Sequence, residues 1–159
     1  MTIGLRPKNT SQKAKIKITG SKSETNRLLI LQALFPQLSI AGPSNSDDSA
    51  VLAQALKTSK KTVNVHHAGT AMRFLTAYFA LKENTQKTLT GSQRMQQRPI
   101  GILVAALRSL GANIQYQKED GYPPLKITGA LPTKNNVSLR GNVSSQFVSA
   151  LMLIAPSLK

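Results

Sequence analysis

The chain has 159 residues, 40% of them hydrophobic, enough for one ordinary domain core and not evidently for two. Lysine and arginine number 21 against 6 acidic residues, so a formal charge of +15 calls for a polyanionic partner, anionic ligands or an acidic complement elsewhere. The absence of cysteine excludes disulfides, thiolate metal sites and a cysteine nucleophile, and no signal peptide or membrane-length apolar run is present, which leads to an expected cytoplasmic location.

Lys13 to Ile18 alternates with period two and predicts a half-buried strand. Gly20-Ser21-Lys22-Ser23-Glu24-Thr25-Asn26-Arg27 then opens into the apolar run Leu28 to Leu34, a turn and helix stopped by Phe35-Pro36. Free N–H groups and the roughly +0.5 charge at a helix N-terminus attract a phosphate or carboxylate. Two hydroxyls and Lys22 add donors, and Ser23 and Arg27, at i and i+4, share a face. Arg27 offers a planar fork and Lys22 a mobile charge able to donate a proton. A Ser-capped helix with solvated basic residues is the alternative.

Leu38-Ser39-Ile40 is a short strand candidate, Pro43 to Ser46 a loop, and Ser46 the cap of a helix through Val51, Leu52, Ala55 and Leu56. Asp47 and Asp48 in its first turn complement the helix dipole, with acid-base catalysis the rival role. Thr62 to His66 reads as a strand on which His66 and His67 would face opposite ways, against joint metal ligation. Ala68-Gly69-Thr70-Ala71 leads into a helix carrying Met72, Leu75, Tyr78 and Phe79. Thr88-Leu89-Thr90 is another strand, Gly91 to Gln97 a polar loop, and Pro99 a first-turn residue of the helix Ile100 to Leu110 that Gly111 ends. Asn113 to Tyr116 and Leu125 to Thr128 read as strands joined through Gly121-Tyr122-Pro123-Pro124. Val137-Ser138-Leu139 begins a further unit, with Gly141 to Ser145 turning into the helix Phe147 to Ala155.

Helices thus begin at hydroxyl-bearing turns at Ser21 to Ser23, Gly69-Thr70 and Ser144-Ser145, each after a strand, a weak internal repeat that can aim helix N-termini at one cleft. Arg94 and Arg98 at i and i+4 would add forks nearby. The chain stops at Pro156-Ser157-Leu158-Lys159 directly after an apolar helix, so an incomplete domain is expected.

Four segments in this order carry a family resemblance: Gly20 to Arg27, Ala68-Gly69-Thr70-Ala71-Met72-Arg73, Arg94-Met95 with Arg98-Pro99-Ile100-Gly101, and Val143-Ser144-Ser145-Gln146-Phe147. Together they resemble the N-terminal part of the 5-enolpyruvylshikimate-3-phosphate synthases, over nearly the whole chain. The resemblance implies an α+β fold, mixed α/β in content, of repeated β-α-β-α-β-β units, here incomplete. Residues 1–19 would give a strand to a second, missing domain, and residues 20–159 would form an incomplete substrate-binding domain of about two repeats and the start of a third. Enzymes of this family join shikimate-3-phosphate to phosphoenolpyruvate between two domains, without metal or organic cofactor.

Position by position, the resemblance implies that Lys22 contacts both substrates and takes part in proton transfer. Ser23, Arg27, Ser144, Ser145 and Gln146 would bind shikimate-3-phosphate, the two later serines at its phosphate. Gly69, Thr70, Arg98 and Gln146 would serve phosphoenolpyruvate, with Arg73 nearby in a less direct role. The missing C-terminal portion would be the partner supplying catalytic carboxylates, so turnover by the chain alone is not expected. His67 stands where most members have Asn, and Phe74 where many have Pro. Phe74 is expected to repack the helix after Gly69-Thr70 and alter glyphosate affinity more than turnover.

Three other readings compete. UDP-N-acetylglucosamine enolpyruvyl transferases share fold and chemistry, but typically have Asn after the motif lysine, where this chain has Ser23, and a reactive cysteine. A basic nucleic-acid-binding module would suit the charge, yet the lysines are scattered, only 4% of residues are aromatic, and no RNA-binding or zinc-finger motif is present. A catalytically silent folding unit, or one half of a split enzyme, is the third possibility.

Overall fold

In the computed structural model, which describes residues 15, 18–140, 142 and 144–158, the first helix α1 (Lys22–Leu34) starts where the Ser21 hydroxyl accepts the Glu24 N–H at 3.4 Å. Ser at the cap and Glu three residues on match the sequence signature of a helix start. Phe35 N–H closes the last turn on Leu31 O at 2.7 Å, and Pro36 has no N–H to extend it. Helix α2 (Asp47–Lys57) is capped by Ser46, has both aspartates in its first turn and Lys57 in its last, so each end carries the charge its dipole favours. A buried bond stitches the two helices together, Ser49 Oγ donating to Asn26 Oδ1 at 2.8 Å, and Thr25 Oγ1 accepts the N–H of Ser44, in the connection between them, at 2.9 Å.

Strands β1 (Thr62–Asn64), β2 (Gln86–Thr90), β3 (Asn113–Tyr116) and β4 (Leu125–Thr128) form one sheet in the order β1-β2-β4-β3. β1 and β2 are parallel, as their crossover through helix α3 (Gly69–Leu81) requires, while β2/β4 and β3/β4 are antiparallel. The register pairs Val63 with Leu89, Leu89 with Leu125, and Ile114 with Ile127, so one sheet face is a continuous buried layer. After β2 come a single-turn helix α4 (Gln93–Gln96) and α5 (Gly101–Ser109), and after β4 comes α6 (Ser145–Ile154), ended by a 3₁₀ turn at Ala155–Ser157.

From β1 to β4, leaving α4 aside, the order is β-α-β-α-β-β, one complete unit of the expected repeat. Helix α3 is its centre. Eleven of its 13 residues are buried, and it packs against α1, α2, α5, α6 and the sheet. A helix apolar on nearly every side can be satisfied only in such a position. Phe74, Leu75, Met72 and Phe79 are at most 2% exposed, each burial contributing about 1.5–3 kcal/mol.

Several expectations need correction. Leu38 to Ile40 and Val137 to Leu139 are not strands, because neither pairs with a neighbouring strand among the described residues and a lone extended segment gains no ladder. The polar stretch Gly91 to Gln97 contains α4, capped by Ser92. Pro99 precedes α5 instead of opening it, since Ile100 is the cap at φ −138°. β1 ends at Asn64, and His66 turns at φ +50° with its N–H on Asn64 Oδ1 at 2.8 Å, so the two histidines do not share a strand. The strand expected over Lys13 to Ile18 falls largely outside the described residues. Gly111 does terminate α5, at φ +104° with its N–H on Arg108 O, a conformation that suits glycine.

Candidate functional site

A cavity of about 650 Å³ opens where the N-terminus of α6, the segment before α5 and the β3–β4 connection meet. Ser144, Ser145, Gln146, Arg98 and Arg73 line it, with Tyr122, Gly121 and Ile102 on the opposite wall. No acidic side chain is among its described lining residues. The Ser144 hydroxyl caps α6 by accepting the Gln146 N–H at 3.3 Å, which fixes the start of the helix at the cavity. Gln146 in turn donates from Nε2 to Thr70 Oγ1 at 3.3 Å, joining the first turns of α6 and α3.

Gly69, the first residue of α3, is buried because the Arg98 guanidinium lies against it; a Cβ there would collide with that guanidinium. Arg73, one turn further along α3, is 5% exposed and donates to Gly69 O at 3.0 Å and Pro99 O at 3.4 Å, with Met95 Sδ 3.9 Å away. These contacts tie α3 to the segment bearing Arg98. Burial, and secondarily the charge on Arg98, pulls the Arg73 pKa down from the usual arginine value to about 10, so it remains a cation at neutral pH. Two guanidiniums beside two serines, an amide and helix N–H groups, without a carboxylate, make a site for a multiply charged anion.

The residues expected on α1 sit differently. Arg27 donates from Nη1 to Ser23 O at 2.8 Å and from Nη2 to Ser149 Oγ at 3.2 Å, so it bridges α1 to α6 without lining the cavity. Lys22 is half exposed, and its Nζ lies 3.9 Å from Asp48 Oδ1, which gives Asp48 a contact beyond its helix dipole. Ser23 is exposed on the first turn of α1. The structure therefore brings Ser144, Ser145, Gln146 and Arg98 into one cavity, places Gly69 and Thr70 at its edge, and leaves Lys22, Ser23 and Arg27 on the neighbouring α1. A second cavity of about 480 Å³, between His67, Ser92, Arg94, Met95 and Arg98, adjoins the first through Arg98. Sequence reasoning undervalued Arg73, although a single charge in the otherwise uncharged run Gly69 to Leu81 marks a position with a specific partner. Among the described residues no group of three or more His, Cys, Asp or Glu side chains is placed to hold a metal, and no helix is long and apolar enough to cross a membrane.

This repeat, with a cavity lined by Arg73 and Arg98 at helix N-termini, is the fold of the enolpyruvyl transferases. The structure superposes on the EPSP synthase of Acinetobacter baumannii with a TM-score of 0.67 at 23% identity, over 92% of this chain and 39% of that one. A protein named 3-phosphoshikimate 1-carboxyvinyltransferase from Bacteroides fragilis is 48% identical over 148 residues, covering 92% of this chain and 36% of the relative. One of the same name from Shewanella halifaxensis is 38% identical over 171 residues, covering 91% of this chain and 40% of the relative. The family model described as EPSP synthase (3-phosphoshikimate 1-carboxyvinyltransferase) matches residues 46–159. The chain belongs to the EPSP synthase family and spans roughly two-fifths of the length of these relatives.

Proposed function

We propose that this chain provides part of the substrate-binding half of a cytoplasmic enolpyruvyl transferase that joins phosphoenolpyruvate to the 5-hydroxyl of shikimate-3-phosphate with release of phosphate, in aromatic amino-acid biosynthesis. The observation that carries the reading is the carboxylate-free cavity in which Arg98, Arg73, Gln146, Ser144 and Ser145 converge. Both substrates carry a phosphate and a carboxylate, and bringing them together in a closed cleft of low dielectric needs this density of donors.

Ser144, Ser145 and Gln146 hold the shikimate-3-phosphate end in this reading, joined from α1 by Ser23 and Arg27. Arg98, seated on Gly69, and Thr70 take the phosphoenolpyruvate end, and Gln146 stands between the two. Lys22 contacts both substrates and serves in proton transfer. Protonation of the phosphoenolpyruvate methylene leaves a cationic C2, which the 5-hydroxyl attacks as it loses its proton. Phosphate leaves the tetrahedral intermediate and a methyl proton is removed to restore the enol ether. The guanidiniums stabilise charge on the transferring groups. Carboxylates for the proton transfers come from the C-terminal portion of the enzyme, the chain's principal partner. Residues 20–159 belong to the incomplete substrate domain in this reading. No metal or organic cofactor is required, and nucleic acid is not a partner.

The test is a chimera in which this sequence replaces the matching segment of the Bacteroides fragilis relative. Phosphate release from phosphoenolpyruvate that depends on shikimate-3-phosphate, and that falls at least about a hundredfold in Arg98→Ala, is the expected result. A folded chimera whose turnover is indifferent to Arg98 would refute the assignment.

A further inference from the structure

Phe74 lies on α3, the helix that packs against both α1 and α6. Its ring is 1% exposed within the core, and the Arg27 guanidinium lies 6.0 Å from the ring centroid. Arg27 is held by Ser23 O on one side and Ser149 Oγ on the other, with the ring as a third point of support. A guanidinium has five N–H donors. Two are engaged here, and among the described residues Arg27 has no carboxylate within ion-pair distance. A half-buried cation with free donors, oriented by a hydroxyl, a carbonyl and an aromatic ring, is a fork prepared for an anion.

We propose that Phe74 is a positioning residue for Arg27, and that its ring fixes the guanidinium and thereby sets affinity for shikimate-3-phosphate. The proposal rests on Arg27 as a ligand of that substrate. It moves the effect of Phe74 from the Gly69-Thr70 side, where the sequence placed it, to α1. An aliphatic side chain of similar size fills the same core space but presents no quadrupole to the cation, so the packing role and the positioning role separate on substitution.

The experiment is calorimetric titration of the chain with shikimate-3-phosphate, for the parent, Phe74→Leu, Phe74→Met, Arg27→Ala and the double variant Phe74→Leu/Arg27→Ala, with a melting curve for each. The expected result is a Kd raised about threefold to tenfold in both Phe74 variants. Phe74→Leu should add less than about twofold in the Arg27→Ala background, since its effect passes through Arg27. An unchanged Kd in both Phe74 variants, whatever their melting temperatures, overturns the proposal, as does an undiminished effect of Phe74→Leu without Arg27. A parent that binds well together with an Arg27→Ala variant that binds equally well refutes the role of Arg27 itself. A parent that binds neither as the 159-residue chain nor within the chimera refutes the functional reading along with the proposal.

Discussion

Replacing Arg73 with methionine separates what this cation contributes to the fold from what it contributes to anion binding. Its pKa is pulled well below the usual arginine value, to about 10, so charging it in place costs about 3 kcal/mol more than in water. Because a depressed base binds its proton more weakly in the folded state, that cost is fully present below pH 10 and fades as pH rises from about 10 toward the usual arginine value. At neutral pH it is therefore undiminished. Against it stand the hydrogen bonds to Gly69 O and Pro99 O, each worth about 1.5–3 kcal/mol as bonds to a charged group. Methionine keeps the apolar stem and deletes both the cost and the bonds, so the unliganded chain should keep its stability within about 1 kcal/mol. The assay is urea unfolding with and without inorganic phosphate. Ligand at about ten times its Kd should stabilise the parent by about 1.4 kcal/mol, and the variant by much less. A loss of more than about 3 kcal/mol without phosphate, or an undiminished phosphate effect in the variant, would refute the reasoning.

Gly69→Ala places a Cβ in the Arg98 guanidinium, a movable side chain, so the fold should melt within a few degrees of the parent while the chimera's KM for phosphoenolpyruvate rises at least about tenfold. Gly129→Ala meets the backbone carbonyls of Lys82 and Phe79, which cannot swing away, so chemical denaturation should show a loss of about 1–3 kcal/mol with no comparable effect on ligand Kd. Lys87→Met deletes the bonds from Nζ to Thr58 O at 2.9 Å and Lys60 O at 2.6 Å that tie the segment after α2 to the sheet, and should cost about 1–3 kcal/mol by the same assay.

What the sequence made legible was governed by local physics. β3 and β4 have the bounds read from their alternation, and α3 was visible as an apolar run behind Gly69-Thr70. The cap at Ser46 followed from side-chain chemistry next to a periodic run, and Ser21 and Ser144, the caps of α1 and α6, lie in turns read as helix starts. What escaped depends on distant partners. Leu38 to Ile40 has strand composition but no strand beside it, and α4 is a single turn hidden by polarity. The Arg27 to Ser149 contact spans 122 positions and the Gln146 to Thr70 contact 76, so which helix ends converge could not be read from spacing. The Arg27–Phe74 pairing is of the same kind: each residue was noticed, but only the packing of α1 on α3 joins them.

The most direct test of the account is titration of the 159-residue chain with shikimate-3-phosphate at two salt concentrations, with Arg27→Ala and Ser145→Ala as controls. Saturable one-to-one binding, weakened at least about tenfold by each substitution, is the predicted result; the loss of a hydrogen bond to a charged group has that magnitude. Binding equally tight in both variants, or no saturable binding by the chain and none by the chimera, would contradict it.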